Sequence, residues 1–185
     1  MMDLIKLIDN TNYEHSRQVS EISKLMAKKA GYSQAESRII AQAALYHDIG
    51  KVAIPPCILN KPASLTPDEY EIVKTHAAVG CKQITEAVQV LTIAAIIAQQ
   101  HHEYQNGCGY YRLSGDDIHP YAKLVAVADV FDALYSKRAY KKAWNMRKIR
   151  EHFTEQTGKQ FDAEMVSLIF SIIKDVLELY KNHER

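Results

Sequence analysis

Five of the eight histidines in this 185-residue chain stand beside residues that suggest metal chemistry. They are His15, His47, His76, His101 and His102. Asp48 directly follows His47, His101 and His102 are adjacent, and Asp129 interrupts the otherwise apolar run Ala126-Val-Ala-Asp129-Val-Phe. Imidazole combined with carboxylate suits iron, manganese, zinc or nickel. The three cysteines, Cys57, Cys81 and Cys108, include no CxxC pair, which argues against a structural zinc site. A single carboxylate such as Asp48 can bridge two metals through its two oxygens. Two cations roughly 3.5–4 Å apart then clamp an in-line displacement at phosphorus, activating a shared water and neutralising charge on the leaving oxygen. Lys51 follows Asp48 by three positions and His47 by four, so it shares their face if the helix through His47 continues that far. Its natural role there is to contact a phosphate oxygen.

Each of these residues also has an ordinary reading. One histidine on a helix is usually a packed or surface residue, and a lone Lys51 would be solvated. Asp129 could be a hydrogen-bonded core residue, although a buried carboxylate needs a partner. Their order and spacing together make coincidence hard to maintain. His119, His152 and His183 have no motif around them and read as surface or packing residues. Cys108 has no activating partner in view and reads as a spacer. Trp144 reads as core. Tyr104, Tyr110 and Tyr111 could stack on bases or could be ordinary loop packing.

The elements that must position these side chains are helical. Residues 13 to 30 carry apolar side chains at Val19, Ile22, Leu25 and Met26, at helical spacing, and Gly31 stops the run. Ser33-Gln-Ala-Glu36 reads as a capping box opening a second helix to about His47. Pro55, Pro56 and Pro62 make the next segment a loop or broken turns. Thr66-Pro67-Asp68-Glu69 is a strong start signal, with a cap, a proline at the first position and acids in the first turn. Further helices are expected near 76–87, 90–102, 120–135, 146–157 and 162–182, and residues 103 to 119 form a flexible glycine-bearing loop. No segment sustains strand alternation, so the fold class is an all-α, single-domain helical bundle of about seven or eight helices over residues 1–185.

Taken in order, His15, then His47-Asp48-Ile-Gly-Lys51, His76, His101-His102-Glu103, Gly107-Cys-Gly109-Tyr110 and Asp129 with the following DVFDAL segment resemble the HD-GYP family. That family is a branch of the HD metal-dependent phosphohydrolases, and the resemblance runs from about His15 to Phe170. It implies an all-helical fold and hydrolysis of cyclic di-GMP, or of the hybrid cyclic GMP-AMP, by attack of a metal-bridging hydroxide, giving linear pGpG or GMP. Carried over position by position, it implies metal ligands at His15, His47, Asp48, His76, His101, His102 and Asp129, with Asp48 as the bridge. It further implies that Lys51 helps hold the scissile phosphate and that Tyr110 shapes the ligand pocket. Arg138 and Lys141 would meet the ligand phosphates, an arginine being able to grip one in two-pronged fashion.

Four positions depart from the family pattern. Tyr111 stands where the family has proline, so the motif reads GYY, and the loop loses a restriction. Asn106 replaces an aspartate best read as a turn residue, a place that asparagine fills as well. Ala139 replaces a proline before Tyr140. Thr11 replaces the glutamate of trinuclear members and is a poor ligand for a hard cation, while Glu14 would point elsewhere. Two metals are therefore expected rather than three, iron or manganese ahead of nickel, zinc or magnesium.

Two other functions compete. One is a signalling module, weakly active or inactive, that binds a cyclic dinucleotide or a protein partner; GYY and Thr11 favour it, and the full ligand set opposes it. The other is a different HD enzyme, either a hydrolase of another nucleotide phosphoester or a di-iron oxygenase. The loop and the basic residues favour a dinucleotide over both.

Composition narrows the classes further. Lys plus Arg number 23 against 22 Asp plus Glu, so the whole chain is no generic polyanion or nucleic-acid binder. The charge is uneven, however, with seven basic residues and no acidic one between Ser136 and Arg150. The odd cysteine count suggests a reducing cytoplasm. The N-terminus is too polar for a signal peptide. The greasiest stretch, Val90–Ala98, falls well short of the roughly twenty residues of a membrane span. HD-GYP modules are often fused to receiver or sensory domains; none is visible here, which leaves either sensor or GGDEF-type signalling domains as partners in trans or a chain that is part of a longer sensor protein.

Overall fold

The computed structural model describes residues 13–87, 92–137 and 143–181 of the chain. Nine α-helices lie among them: α1 (Tyr13–Lys29), α2 (Gln34–Leu45), α3 (Pro56–Leu59), α4 (Pro67–Ala87), α5 (Thr92–Gln100), α6 (Pro120–Tyr135), α7 (Met146–Gln156), α8 (Ala163–Ser171) and α9 (Ile173–Lys181). Two short 3-10 turns, Ile49–Ala53 and Gly115–Asp117, join them. The described residues hold no strand, only an isolated bridge between Thr157 and Phe161. None of their helices is long and apolar enough to cross a membrane.

Local chemistry sets most of the boundaries. Ser33 Oγ accepts from the Glu36 amide at 3.2 Å while Glu36 accepts from the Ser33 amide at 2.9 Å, which is the anticipated capping box. Thr66 and Glu69 make the same reciprocal pair at 3.2 and 2.7 Å. Each such cap stabilises its helix by about 1 kcal/mol. The helix starting at Pro67 runs unbroken to Ala87, so it absorbs the separate helix expected near 76–87. The expected long helix over 162–182 is instead two. At the join the Ser171 hydroxyl donates back to the Leu168 carbonyl at 2.7 Å, a bond that competes with the helical ladder, and Ile172 leaves helical geometry.

The core is one apolar cluster. Val19, Ile22 and Met26 of α1 meet Ile40 and Ala44 of α2, Ile97 of α5, and Leu124, Val127 and Phe131 of α6, all fully or almost fully buried. Helix α1 packs on α2 and α6, α2 on α5, and α5 on both α4 and α6. The site residues project from these central helices, where packing fixes their backbones.

One contact in this frame is made by backbone alone. The 3-10 turn lies against α4 so closely that a Cβ on Gly50 would fall 2.0 Å from the His76 carbonyl oxygen and 2.5 Å from the Gly80 nitrogen. Both neighbours are main chain and cannot swing aside. Gly50 is thus the residue that lets the His47-Asp48 turn reach His76. Gly50→Ala should lower stability by at least about 2 kcal/mol, as overpacking against backbone does, and should drive Asp48 and His76 apart. Thermal unfolding of the metal-free protein checks the first effect. A Gly50→Ala protein as stable as the parent would refute this contact.

Candidate metal centre

Each expected ligand comes from a different part of the frame. His15 lies on α1, His76 inside α4, and Asp129 inside α6. His101 and His102 follow the end of α5, and His101 still makes the helical bond to Ile97 O at 3.0 Å. His47 and Asp48 stand in the turn after α2, which ends at Leu45, two residues before the expected stop. The reason is visible at Ala44, whose carbonyl accepts both the His47 amide at 3.2 Å and the His47 ring at 2.8 Å. That ring satisfies one of the carbonyls a helix end leaves open. Lys51 consequently sits on a 3-10 turn, not on a continued α-helix, yet its ammonium still reaches Asp48 Oδ2.

The hydrogen bonds determine which ring nitrogen is free. His47 Nδ1 faces Ala44 O at 2.8 Å, His76 Nδ1 faces Val73 O at 2.6 Å, and His101 Nδ1 faces Ile97 O at 3.0 Å. A carbonyl oxygen only accepts, so in each ring the proton must be on Nδ1 and the lone pair on Nε2. Those three Nε2 atoms are buried and lack a hydrogen-bond partner, as does Asp48 Oδ1. His76 Nε2 lies 3.3 Å and His101 Nε2 3.7 Å from Asp48 Oδ1, while His47 Nε2 lies 3.3 Å from Asp48 Oδ2. Lone pairs converge on lone pairs, an arrangement that costs energy unless cations occupy it.

The seven groups fall into two sets. Ligand atoms of Asp48, His76, His101 and His102 lie within 4.8 Å of one another, and so do those of His15, His47 and Asp129. Asp48 joins them, one oxygen toward each set. His15 Nε2 approaches Asp129 Oδ1 at 3.0 Å, and His47 Nε2 is 3.9 Å from the same oxygen. Imidazole and carboxylate in these proportions fit divalent first-row metals.

The electrostatics agree. Burial would raise the Asp48 carboxyl, but the Lys51 ammonium outweighs it and holds the group well below the usual carboxylate range. Asp129 is likewise lowered against its burial, chiefly by the hydrogen bond from His15. Burial pushes His101 down, and burial with the neighbouring His101 pushes His102 well down, so both rings are neutral at physiological pH. Burial would also lower His15, yet the carboxylates of Asp129 and Asp132 on either side raise it to about 9.

The loop over residues 103 to 119, expected to be flexible, is tied down. Glu103, 3% exposed, accepts from the amides of Tyr111 at 2.7 Å and Leu113 at 2.8 Å. Gln105 and Asn106 donate to the carbonyls of Gln160 and Lys159. Asn106 Oδ1 accepts from the Cys108 amide at 3.1 Å, the turn role expected of it. Gly109 doubles back so tightly that a Cβ there would meet Glu103 Cα at 2.5 Å. The result sets the Tyr110 ring 4.7 Å from the His102 ring and 6.1 Å from His76, at the edge of the candidate ligand cluster. Burial pushes the Tyr110 hydroxyl up, so it stays a neutral donor.

Arg138 and Lys141 lie outside the described residues, as do Thr11, Ala139 and His183. His119 caps α6, its Nδ1 accepting from the Tyr121 amide, and His152 meets Trp144 edge to face, Trp144 packing against the core. Cys57, Cys81 and Cys108 are all free thiols. Two residues of the site carry no role in the sequence reading. Glu103, though part of the quoted motif, proves to be the clamp of the loop. Asp132 accepts from His15 Nδ1 at 2.6 Å; the signal available for it was a second acid in the apolar α6.

Against known proteins, the HD domain family matches residues 1–165. The cyclic di-GMP phosphodiesterase response regulator RpfG of Xanthomonas campestris pv. campestris is 41% identical over 153 residues, 82% of this chain and 40% of that protein. The 3'3'-cGAMP-specific phosphodiesterase 2 of Vibrio cholerae is 38% identical over 157 residues, 84% of this chain and 30% of that protein. The chain thus spans less than half the length of these relatives. Among solved structures, the HDG"Y"P protein Bd1817 from Bdellovibrio bacteriovorus superposes with a TM-score of 0.72 at 23% identity, over 90% of this chain and 53% of that one. That likeness shares the fold.

Proposed function

Because the chain belongs to the HD domain family, in its HD-GYP branch, we propose that it is a metal-dependent phosphodiesterase that opens a cyclic dinucleotide: cyclic di-GMP to linear pGpG or GMP, or cyclic GMP-AMP to the mixed linear dinucleotide or its mononucleotides. The observation that carries this is Asp48, whose Oδ2 addresses the unpartnered Nε2 of His47 and whose Oδ1 addresses those of His76 and His101. One pocket would be His15, His47 and Asp129 with Asp48 Oδ2; the other, His76, His101 and His102 with Asp48 Oδ1. Two divalent cations, iron or manganese, would supply the Lewis acidity that makes water a nucleophile and neutralises charge at phosphorus.

The chain's own groups do the remainder. The Nδ1–H bonds to fixed carbonyls aim the Nε2 lone pairs, so little reorganisation is needed. Lys51, which rests on Asp48 Oδ2, would turn its ammonium to a non-bridging phosphate oxygen. Tyr110 would donate its hydroxyl to the ligand, and Arg138 and Lys141 would hold the second phosphate. Water adds to phosphorus, the bond to the ribose 3' oxygen breaks, and that oxygen takes the proton, so the ring opens. The similarity to phosphodiesterases of cyclic di-GMP and of 3'3'-cGAMP supports this substrate class. We place the work in one domain, in the cytoplasm, with sensor or GGDEF-type domains as partners in trans.

The test is direct. Protein loaded anaerobically with Fe(II) or Mn(II) should convert cyclic di-GMP to pGpG or GMP, or cyclic GMP-AMP to the mixed linear dinucleotide or AMP and GMP, followed by chromatography of the nucleotides. No product with either cation would overturn the reading, and tight binding without turnover would point to a signalling module instead.

A further inference from the structure

Asp132 is 1% exposed and stands three residues after Asp129 on α6, one turn further along the same helix. Its Oδ2 accepts from His15 Nδ1 at 2.6 Å. Its Oδ1 accepts from the Ser136 hydroxyl at 2.7 Å and from the Tyr180 hydroxyl of α9 at 2.8 Å. Among the described residues, the other ring nitrogens that orient a candidate ligand, on His47, His76 and His101, face backbone carbonyls. Of these four rings, that of His15 is the one backed by a carboxylate.

We propose that Asp132 is a positioning residue for the pocket of His15, His47 and Asp129, held in turn by Tyr180, so that the C-terminal helix tunes the metal affinity of one pocket and not of the other. The inference rests on the reading that the cluster binds cations. A carboxylate behind an imidazole fixes the ring and raises its strength as a donor, and loss of such a partner typically weakens metal binding by roughly 10–100-fold. The two pockets are therefore unequal by construction. One combines a carboxylate-backed imidazole, a second imidazole and two carboxylate oxygens. The other relies on three imidazoles and a single carboxylate oxygen, and its His76 and His101 rings are backed by main-chain carbonyls. Tyr180 reports on α9 because its ring is seated against Tyr135 at 4.6 Å, so its hydroxyl reaches Asp132 only while that helix is docked.

The experiment is a Mn(II) titration of the full chain, followed by the electron paramagnetic resonance signal of free Mn(II). It compares the parent with Asp132→Asn and Tyr180→Phe, each also in a His15→Ala background. The parent should take up two equivalents. Asp132→Asn should weaken one of them by roughly 10–100-fold and spare the other. Tyr180→Phe keeps the ring packing and should weaken the same equivalent several-fold; it decides the matter alone if Asp132→Asn fails to fold. With His15 gone, neither change should have any further effect, since the contact they act through is absent. Unaltered affinities in both variants would overturn the proposal, as would equal losses from both pockets or undiminished effects in the His15→Ala background. A parent protein that takes up no Mn(II) would defeat the metal reading itself, an outcome distinct from these.

Discussion

Asp48→Ala should take the protein from two bound cations to none and abolish hydrolysis while leaving the helices in place. The expectation follows from the placement of one side chain. Asp48 Oδ1 serves His76 and His101, and Asp48 Oδ2 serves His47, so one substitution removes an anionic donor from both pockets at once. Several kcal/mol of transition-state stabilisation depend on the cations, which corresponds to at least about 10³-fold in turnover. The metal-free fold should survive, because the apolar cluster of α1, α2, α5 and α6 does not include Asp48. Metal analysis after gel filtration, with circular dichroism as the control for folding, measures both. Full metal content in Asp48→Ala would show that the bridging assignment is wrong.

Lys51→Ala should have the opposite signature, with cations retained and turnover reduced. In the metal-free chain the Lys51 ammonium sits on Asp48 Oδ2, the same oxygen that a cation between His47 and Asp129 would use. Lysine and metal therefore compete for that oxygen. Removing the ammonium should leave metal affinity unchanged or raise it. What is lost is a positive charge near the phosphate, and deletion of one such electrostatic contact costs roughly 10²–10³-fold in kcat. Steady-state kinetics on metal-saturated protein, paired with metal analysis, separates the two effects. A Lys51→Ala protein that loses its metals would place the lysine among the structural supports of the cluster and away from the phosphate.

The sequence exposed the participants better than their supports. Histidines and aspartates are few, and a helix-rich chain that sets His47-Asp48, His101-His102 and a lone Asp129 in apolar surroundings advertises them by residue type alone. The helix starts at Ser33 and Thr66 were equally open to reading, because a cap is a local bond between residues three apart. The supports are not local. Asp132 bonds a histidine 117 positions away, and the clash that requires Gly50 is with the backbone of His76 and Gly80. No spacing rule announces such contacts. The same holds for the stop of α2 at Leu45, which depends on a ring turned back to its own helix. The division of the last expected helix at Ile172 had a hint in Ser171, but a serine in a helix bends it only when its hydroxyl turns inward, which sequence does not state. The loop of residues 103 to 119 was legible as a loop from its glycines. Its fixity was hidden, since it depends on a buried Glu103 whose partners are main-chain amides eight and ten residues on.

The central claim, that seven side chains meet around a pair of cations, is tested most directly by counting them. Metal-free protein titrated anaerobically with Mn(II) or Fe(II), then freed of loosely held ions and analysed, should retain two equivalents per chain. Retention of less than one equivalent with either cation would contradict the account.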